Sequence, residues 1–475
     1  MADTPVDTTG LVYQHPPGFR KRRVRNWFFL GLTYAGYYFC RTNLSIVSAD
    51  LKDGLGFSNA QYGAIQGARS GAYAIGQFVN GLFTDGLGGK RAMTIGAVGT
   101  ILLNVAFGLT AWSNIGWLFY VLMLIRLADG YMQAFGAPGM VKINTAWFRR
   151  RERGTFAGIF GFMINLGATA SGKLGSLLAT GFAVPLLFFS ITVPKLDWRY
   201  MFIIPPVVTG IIVLLMNLAV KNHPEEAGYS IRHDDESDDD DPLETIHIGA
   251  VFRKIASNPV VWIVAGAYFC TGFVRYGIND WWVIYMKDVW SVAREDALFD
   301  NMASYWLPFT ASFGSLGSGI ISDKLFAGRR APVAALLYLI QAVFLFLALS
   351  MCMSWIPGSA TLACVLIVLI WVGCNSTHSL LGTAAAMDLG GRKMAGFSSG
   401  VIDSFQYFGA MLAQFGMGRL LDRTAVAQHL NEKGALVPNL NPTVWFGAML
   451  PLAVLGTILM TYLWLRHRGT DRAGT

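Results

Sequence analysis

The 475-residue sequence is poor in charge, since only 14% of its residues are Asp, Glu, Lys or Arg. A soluble globular chain carries about a quarter. Hydrophobic residues make up 53% of the chain, and apolar stretches long enough to cross a bilayer as a helix recur at 94–112, 201–220, 331–353 and 444–464. The low charge excludes an ordinary soluble protein and predicts an all-α polytopic membrane protein.

Cysteine is also scarce, and the five present are Cys40, Cys270, Cys352, Cys364 and Cys374. All lie within or beside apolar segments, and none has the Cys-x-x-Cys spacing of a metal or redox site. The sequence also lacks a phosphate-binding loop, a His-Glu-x-x-His zinc motif and a nucleophile elbow. We therefore expect no enzyme activity, no metal and no cofactor, and a gradient as the source of energy.

The basic residues predict how the chain is oriented in the membrane. If the N-terminus is cytoplasmic, the basic clusters at 20–25, 90–91, 149–153 and 329–330 all lie on the cytoplasmic side, whereas the outer loops contain few Lys or Arg. This asymmetry follows the positive-inside rule. We expect a multi-pass protein of the plasma or inner membrane with an even number of spans and both termini in the cytoplasm.

An acidic segment interrupts the apolar pattern at residues 221–256 and contains the run Asp-Asp-Glu-Ser-Asp-Asp-Asp-Asp at 234–241. Such a segment buries no apolar surface, so it predicts a solvated linker. The linker divides the chain into a basic cytoplasmic N-terminus (1–26), two six-helix bundles (27–220 and 257–466) and a cytoplasmic tail (467–475). The fifth apolar segment is longer than one crossing needs, which predicts an extended outer loop or re-entrant piece near Pro185.

The two halves resemble each other. The loop 81–91 after the second span has a counterpart at 319–330 after the eighth, and the glycines of 154–167 recur in 396–409. Two such halves predict twelve helices in the major facilitator fold, with substrate bound near the midplane between the bundles. The Gly-x3-Asp-x4-Lys-Arg loop is similar to the signature loop of that superfamily. We therefore expect gate residues at Asp85, Arg91, Asp323 and Arg330.

Six basic residues lie inside the predicted spans, namely Arg41, Arg69, Arg126, Lys142, Lys173 and Arg275. A charge at bilayer depth costs several kcal/mol unless it faces a cavity or a partner, so each is a functional candidate. Arg41 and Arg275 hold equivalent places in the first and seventh spans, and two guanidiniums facing one cavity would form a site suited to phosphate. The alternative is that a carboxylate such as Asp280 neutralises them.

Three motifs resemble the organophosphate:phosphate antiporters, the family of the glycerol-3-phosphate and hexose-phosphate transporters. They are Tyr-Tyr-x-x-Arg-x-Asn at 37–43, Arg-Tyr-Gly-Ile-Asn-Asp-Trp at 275–281 and Ser-Asp-Lys-Leu-Phe-Ala-Gly-Arg-Arg at 322–330. The resemblance extends over nearly the whole chain. It implies exchange of glycerol phosphate, a sugar phosphate or phosphoglycerate for inorganic phosphate, with the phosphate held by Arg41 and Arg275 in a cavity lined by Tyr38, Tyr73 and Tyr407.

The sequence departs from the family pattern in the second and fifth spans. Gln77 stands where family members carry a cavity lysine, and the fifth span reads Phe-Gly-Phe-Met-Ile-Asn165 where bacterial members have Trp-Asn-x-x-His-Asn. Arg69, Tyr73 and Gln77 share one helix face, which places Arg69 about 12 Å outward from Gln77. We expect Arg69 to supply the missing cation and to contact the distal end of the substrate, and we keep Gln77 and Asn165 as expected substrate contacts.

Acidic residues within the spans are expected to take part in gating or coupling. Arg126 and Asp129 lie three apart, either as a coupling pair or as a satisfied ion pair, and Asp280 and Asp403 lie in the seventh and eleventh spans.

Two other functions stay open. One is proton-coupled transport of another organic anion, with Asp403, Asp129 or His378 as the proton carrier. The other is a membrane receptor for a sugar phosphate. We expect a monomer that binds no nucleic acid.

Overall fold

Most of the chain is helical in the structure, a computed structural model that describes residues 16–148, 150–185, 190–229, 257–326, 329–431 and 434–472. The helices of the first half are α1 (Phe19–Ile46), α2 (Ser48–Leu55), α3 (Asn59–Leu87), α4 (Gly89–Thr110), α5 (Leu118–Gln133), α6 (Gly136–Trp147), α7 (Arg150–Thr180) and α8 (Ile204–Ala219). Those of the second half are α9 (Pro259–Trp290), α10 (Ala297–Asn301), α11 (Leu307–Leu325), α12 (Arg330–Cys352), α13 (Ala360–Ser379), α14 (Ala386–Arg423) and α15 (Pro442–Arg472).

Two antiparallel hairpins lie in loops between spans. They consist of β1 (Phe182–Pro185) with β2 (Ser190–Val193) and β3 (Gln428–Leu430) with β4 (Leu436–Pro438). In the first hairpin Pro185 pairs with Ser190, directly after α7. The long fifth apolar segment therefore ends in an extended loop, as expected. The acidic run at 234–241 and the side chain of Asp85 lie outside the described residues.

By length and hydropathy alone, seven helical segments of the described ranges are able to cross a bilayer. They are Gly89–Thr110, Leu118–Trp147, Trp198–Ala219, Pro259–Trp290, Arg330–Cys352, Ala360–Gly382 and Pro442–Arg466. Helices α1, α3, α7, α11 and α14 are less uniformly apolar and complete two groups of six. The predicted twelve-helix fold class is confirmed. The charged and polar residues of these less apolar helices include Arg41, Arg69 and Asn165, which face the space between the bundles.

Local signals set where several spans begin. Helix α9 starts at Pro259, behind Asn258, whose side-chain oxygen accepts a hydrogen bond from the Val260 backbone at 3.0 Å. Proline suits a first helical turn because its missing N–H would have no partner there. Helix α3 begins with a capping box between Ser58 and Gln61.

The start of α1 and the end of α15 lie at the same end of the molecule. Lys287, near the end of α9, contacts Asp53 in α2, which directly follows the end of α1. Helices α1 and α9 therefore end at the same face and run in the same direction. The start of α15 contacts the end of α9, because the Leu440 backbone donates to Asp288 at 2.8 Å, so α15 runs the opposite way. We call the end at which α1 begins and α15 ends the near face, and the opposite end the far face.

Helices α3 and α14 bring the two bundles into close contact from the far face inward. Glycines on α3 allow it: Gly63 faces the backbone carbonyl of Gln414, and a Cβ at Gly67 would lie 2.5 Å from the Phe415 ring. On α14, a Cβ at Gly418 would lie 2.5 Å from the Asn59 carbonyl oxygen. Small residues let helix backbones approach in this way. The packing closes the far half of the interface.

Candidate functional site

A cavity lies between the two bundles. The first bundle lines it with Tyr38, Arg41, Thr42, Arg69, Ile164, Asn165 and Ala168, and the second with Arg275, Tyr276, Asn279, Trp371 and Asn375. Of the residues predicted to contact substrate, five are thus brought together, namely Tyr38, Arg41, Arg69, Asn165 and Arg275. Three of these are arginines, and no acidic residue lines the cavity in the described part of the chain.

Arg41 and Arg275 are held in the same manner, one in each bundle. The Nε of Arg41 donates to the side-chain oxygen of Gln133 at 2.7 Å, and the Nε of Arg275 donates to the side-chain oxygen of Asn375 at 3.2 Å. Both terminal nitrogens of Arg41 are buried without a hydrogen-bond partner among the described residues. Each amide fixes the plane of its guanidinium and leaves the terminal nitrogens for a ligand.

Aromatic rings surround both guanidiniums. The Arg41 guanidinium lies over Tyr38 and Tyr73, at 4.5 and 4.6 Å from the ring centroids, and that of Arg275 lies 5.6 Å from the centroid of Trp371. The rings of Tyr73 and Tyr407 are 4.2 Å apart. These contacts stabilise the cations by their π faces without neutralising them.

Three of the expected substrate contacts lie next to the cavity and do not line it. Tyr73 and Tyr407 pack against each other across the bundles, and Gln77 donates a hydrogen bond to the Tyr73 hydroxyl at 2.7 Å. Helix periodicity puts Arg69, Tyr73 and Gln77 on one face, but the cavity reaches only Arg69. Gln77, at the position where the family carries a lysine, is therefore hydrogen-bonded to Tyr73 and does not line the cavity.

Behind Arg41 runs a fully buried polar network in the first bundle. Gln133 donates to both carboxylate oxygens of Asp129 at 3.1 and 3.0 Å, and Arg126 pairs with the same carboxylate at 3.0 Å. Asn104 donates to it at 3.2 Å. Arg126 and Asp129 therefore form an ion pair through one terminal nitrogen of Arg126, and Gln133 connects that pair to Arg41.

Asp280 does not form an ion pair with Arg275. Its carboxylate accepts hydrogen bonds from Ser45 at 2.6 Å, Asn279 at 2.6 Å and Gln414 at 2.8 Å. Ser45 belongs to the first bundle, and Asp280 lies one helical turn closer to the far face than Arg275. Within the described ranges Asp280 makes no ion pair with Arg41 or Arg275, and its hydrogen bond to Ser45 joins the two bundles.

The remaining predicted gating residues lie closer to the near face. The Tyr268 hydroxyl lies 2.5 Å from Nδ1 of His378 and donates to Asp403 at 3.3 Å, about 10 Å along α9 from Arg275. Arg330 pairs with Asp323 at 2.7 Å. Arg91 is exposed.

Sequence reasoning missed the contacts that close the far face. Ion pairs join the two bundles there: Asp50–Arg294 at 2.7 Å, Lys173–Asp300 at 2.6 Å, Lys52–Asp288 at 3.9 Å, Lys195–Glu295 and Asp53–Lys287. Burial lowers the pKa of the Lys52 amine, and the negative charge of the nearby Asp288 carboxylate partly offsets this decrease. The Asp422 carboxylate also crosses the interface and accepts hydrogen bonds from the Asn59 and Ala60 backbone at 2.8 Å each, at the start of α3.

The sequence matches the Major Facilitator Superfamily over residues 30–414. It is 28% identical over 416 residues to the glycerol-3-phosphate transporter of Bacillus subtilis (strain 168), covering 85% of this chain and 87% of that protein. It is 27% identical over 425 residues to a probable hexose phosphate transport protein of Chlamydia pneumoniae, covering 84% and 85%. It is 25% identical over 429 residues to the membrane sensor protein UhpC of Escherichia coli (strain K12), covering 89% and 90%.

Among solved structures, the chain is similar to a bacterial homolog of the human lysosomal transporter Spinster in an inward-facing and unoccupied conformation. The TM-score is 0.71 at 19% identity, and the alignment covers 94% of this chain and 97% of that one. A likeness at this identity supports the fold alone.

Proposed function

The chain belongs to the major facilitator superfamily, and from that premise we propose that it exchanges a phosphorylated small metabolite for inorganic phosphate across the membrane by alternating access. The observation that carries the proposal is the cavity that Arg41 and Arg275 line together, with no acidic residue among its described lining residues. The relatives named as glycerol-3-phosphate and hexose phosphate transporters support the same substrate class.

The two arginines explain how binding is coupled to movement. One belongs to each bundle, and a phosphate accepts two parallel hydrogen bonds from a guanidinium. Two positive charges that face one cavity of low dielectric constant repel each other. An anion between them turns this repulsion into attraction, so the loaded protein crosses between its two states more readily than the empty one. That difference gives exchange in place of leakage.

The closed far face defines which state the structure represents. The ion pairs between Asp50 and Arg294 and between Lys173 and Asp300 hold the bundles together at that face. We assign the near face to the cytoplasm, as the basic residues predict, so this state is closed to the outside. Opening to the outside requires the far-face ion pairs to separate.

Cysteine labelling tests this orientation. Ser291 is exposed at the far end of α9, whereas Ser237 lies in the acidic linker. With a membrane-impermeant maleimide, Ser291→Cys should label in intact cells and Ser237→Cys only after permeabilisation. The unsubstituted protein is the control, because its native cysteines lie within or beside the spans. Labelling of Ser237→Cys in intact cells would contradict the topology.

Counterflow of labelled phosphate in proteoliposomes tests the proposed function. Vesicles loaded with unlabelled phosphate should take up labelled phosphate without a pH gradient, and external glycerol 3-phosphate, hexose phosphates or phosphoglycerate should compete. Uptake that requires a pH gradient would contradict exchange and favour proton coupling through residues such as Asp403, Asp129 or His378.

A membrane receptor is the second candidate function, favoured by the similarity to a membrane sensor protein. A receptor needs the same anion site but no flux. Binding of an organophosphate by the purified protein, seen as a rise in Tm, together with an absence of counterflow in the same preparation, would support the receptor and exclude the exchanger.

A further inference from the structure

We infer that Arg69 binds a second anionic group of the substrate, so that this cavity takes a phosphate ester that also carries a carboxylate. The inference rests on the proposed function and goes one step further, because it names the substrate class and the residue that selects it. Its starting point is that the cavity contains three arginines, one more than a single phosphate needs.

Arg69 has the same local arrangement as Arg41 and Arg275. Its Nε donates to the side-chain oxygen of Gln66 at 3.4 Å, just as amide oxygens hold the Nε of the other two. The amide nitrogen of Gln66 in turn donates to the Ser45 hydroxyl at 3.3 Å and the Tyr62 hydroxyl at 3.2 Å. These bonds fix which end of the Gln66 amide faces Arg69, and so they fix the orientation of the guanidinium.

The terminal nitrogens of Arg69 are left for the cavity. The residue is only 2% exposed, and its Nη1 has no hydrogen-bond partner in the described ranges. An arginine that extends to the membrane surface would keep its charged end in water. Arg69 is buried and directed at the cavity, which is the arrangement of a binding group.

Charge balance selects the class of ligand. The phosphate of a monoester carries about −1.5 to −2 near neutral pH, which matches Arg41 and Arg275. A neutral sugar or glycerol moiety would leave the buried Arg69 guanidinium without a directly bonded carboxylate, which is unfavourable. A carboxylate on the substrate would supply that contact. The nearest carboxylate in the hydrogen-bond network, Asp280, reaches Arg69 only through Ser45 and Gln66.

A matched pair of ligands tests the inference. 3-Phosphoglycerate and glycerol 3-phosphate have the same length and the same phosphate, and differ in whether the other end is a carboxylate or an alcohol. Competition with labelled phosphate exchange should show that the unsubstituted protein prefers 3-phosphoglycerate. Arg69→Gln should weaken 3-phosphoglycerate at least tenfold more than it weakens phosphate or glycerol 3-phosphate, so that the preference for 3-phosphoglycerate is lost. Arg69→Lys, which keeps the charge and loses the fork, should give an intermediate loss.

Lys142→Gln is the matched control. It removes a cation from the same bundle at a place that does not line the cavity, where Lys142 donates to the Thr84 carbonyl at 3.3 Å. It should leave the preference between the two ligands unchanged. Equal weakening of both ligands by Arg69→Gln, or an unchanged preference in both Arg69 variants, would overturn the inference.

The same pair of ligands separates this inference from the proposed function. If the unsubstituted protein shows no phosphate exchange, the proposed function fails. The rise in Tm that each ligand produces in detergent-purified protein still tests Arg69. A larger rise with 3-phosphoglycerate that Arg69→Gln removes would support the binding role, and equal rises would overturn it.

Discussion

Replacing Arg41 or Arg275 by lysine should lower phosphate exchange at least about a hundredfold, although each variant keeps its positive charge. The Nε of each arginine is already bonded to an amide oxygen, from Gln133 or Asn375, and its terminal nitrogens are directed at the cavity. A lysine ammonium is a single point of charge and cannot bond both the amide and two phosphate oxygens in these directions. Labelled phosphate counterflow measures the effect.

A conservative change elsewhere controls for this experiment. Arg419→Lys alters an exposed arginine on α14, outside the cavity, and should leave exchange unchanged. The Tm of each variant without ligand should stay close to that of the unsubstituted protein. Near-normal exchange in either Arg41→Lys or Arg275→Lys would mean that these arginines are structural and that phosphate binds elsewhere.

Adding one methyl group at Gly63 or Gly418 should lower exchange about tenfold or more. The Cβ of Gly63→Ala would meet the Gln414 backbone carbonyl, and that of Gly418→Ala would lie 2.5 Å from the Asn59 carbonyl. Backbone atoms cannot rotate away, so we expect a cost of about 1–3 kcal/mol for the state closed at the far face. The state open at the far face separates these helices and does not bear that cost. The variants should therefore fold and favour the open state.

Gly416→Ala is the matched control, because it lies on the same helix and its Cβ would have nothing within 4 Å. Access of a membrane-impermeant maleimide to a cysteine placed at Thr42, in the cavity, reports which state is populated. Labelling from outside should rise in Gly63→Ala and Gly418→Ala and stay low in Gly416→Ala. If all three variants label and exchange alike, the contact between α3 and α14 does not govern the closed state.

The internal repeat and the helix periodicity of the sequence predict which residues face the space between the bundles. Arg41 and Arg275 occupy corresponding places in two similar halves, so a fold that faces the halves together brings them to one cavity. Helix periodicity places Tyr73 and Gln77 on the same face of α3 as Arg69. It does not predict how far along that face the cavity extends, and the cavity reaches only Arg69. The aromatic contact between Tyr73 and Tyr407 ends the cavity before Gln77.

The far-face ion pairs could not be read from the sequence. Asp53 and Lys287 are 234 positions apart and belong to different bundles, so their contact depends on how the bundles meet. The positive-inside pattern describes the number of charges on each side and not their partners. Acidic residues at the outer ends of the first and seventh spans, such as Asp50 and Asp288, were the available signal. Likewise, the amide that holds each cavity arginine comes from another helix or another turn, and only the fold reveals it.

A structure determined with bound phosphate tests the central claim most directly. We expect a tetrahedral anion between the bundles, with oxygens about 3 Å from the terminal nitrogens of Arg41 and Arg275, and with Nε of each still bonded to Gln133 or Asn375. A preparation that exchanges phosphate while its bound anion lies away from both arginines would contradict it.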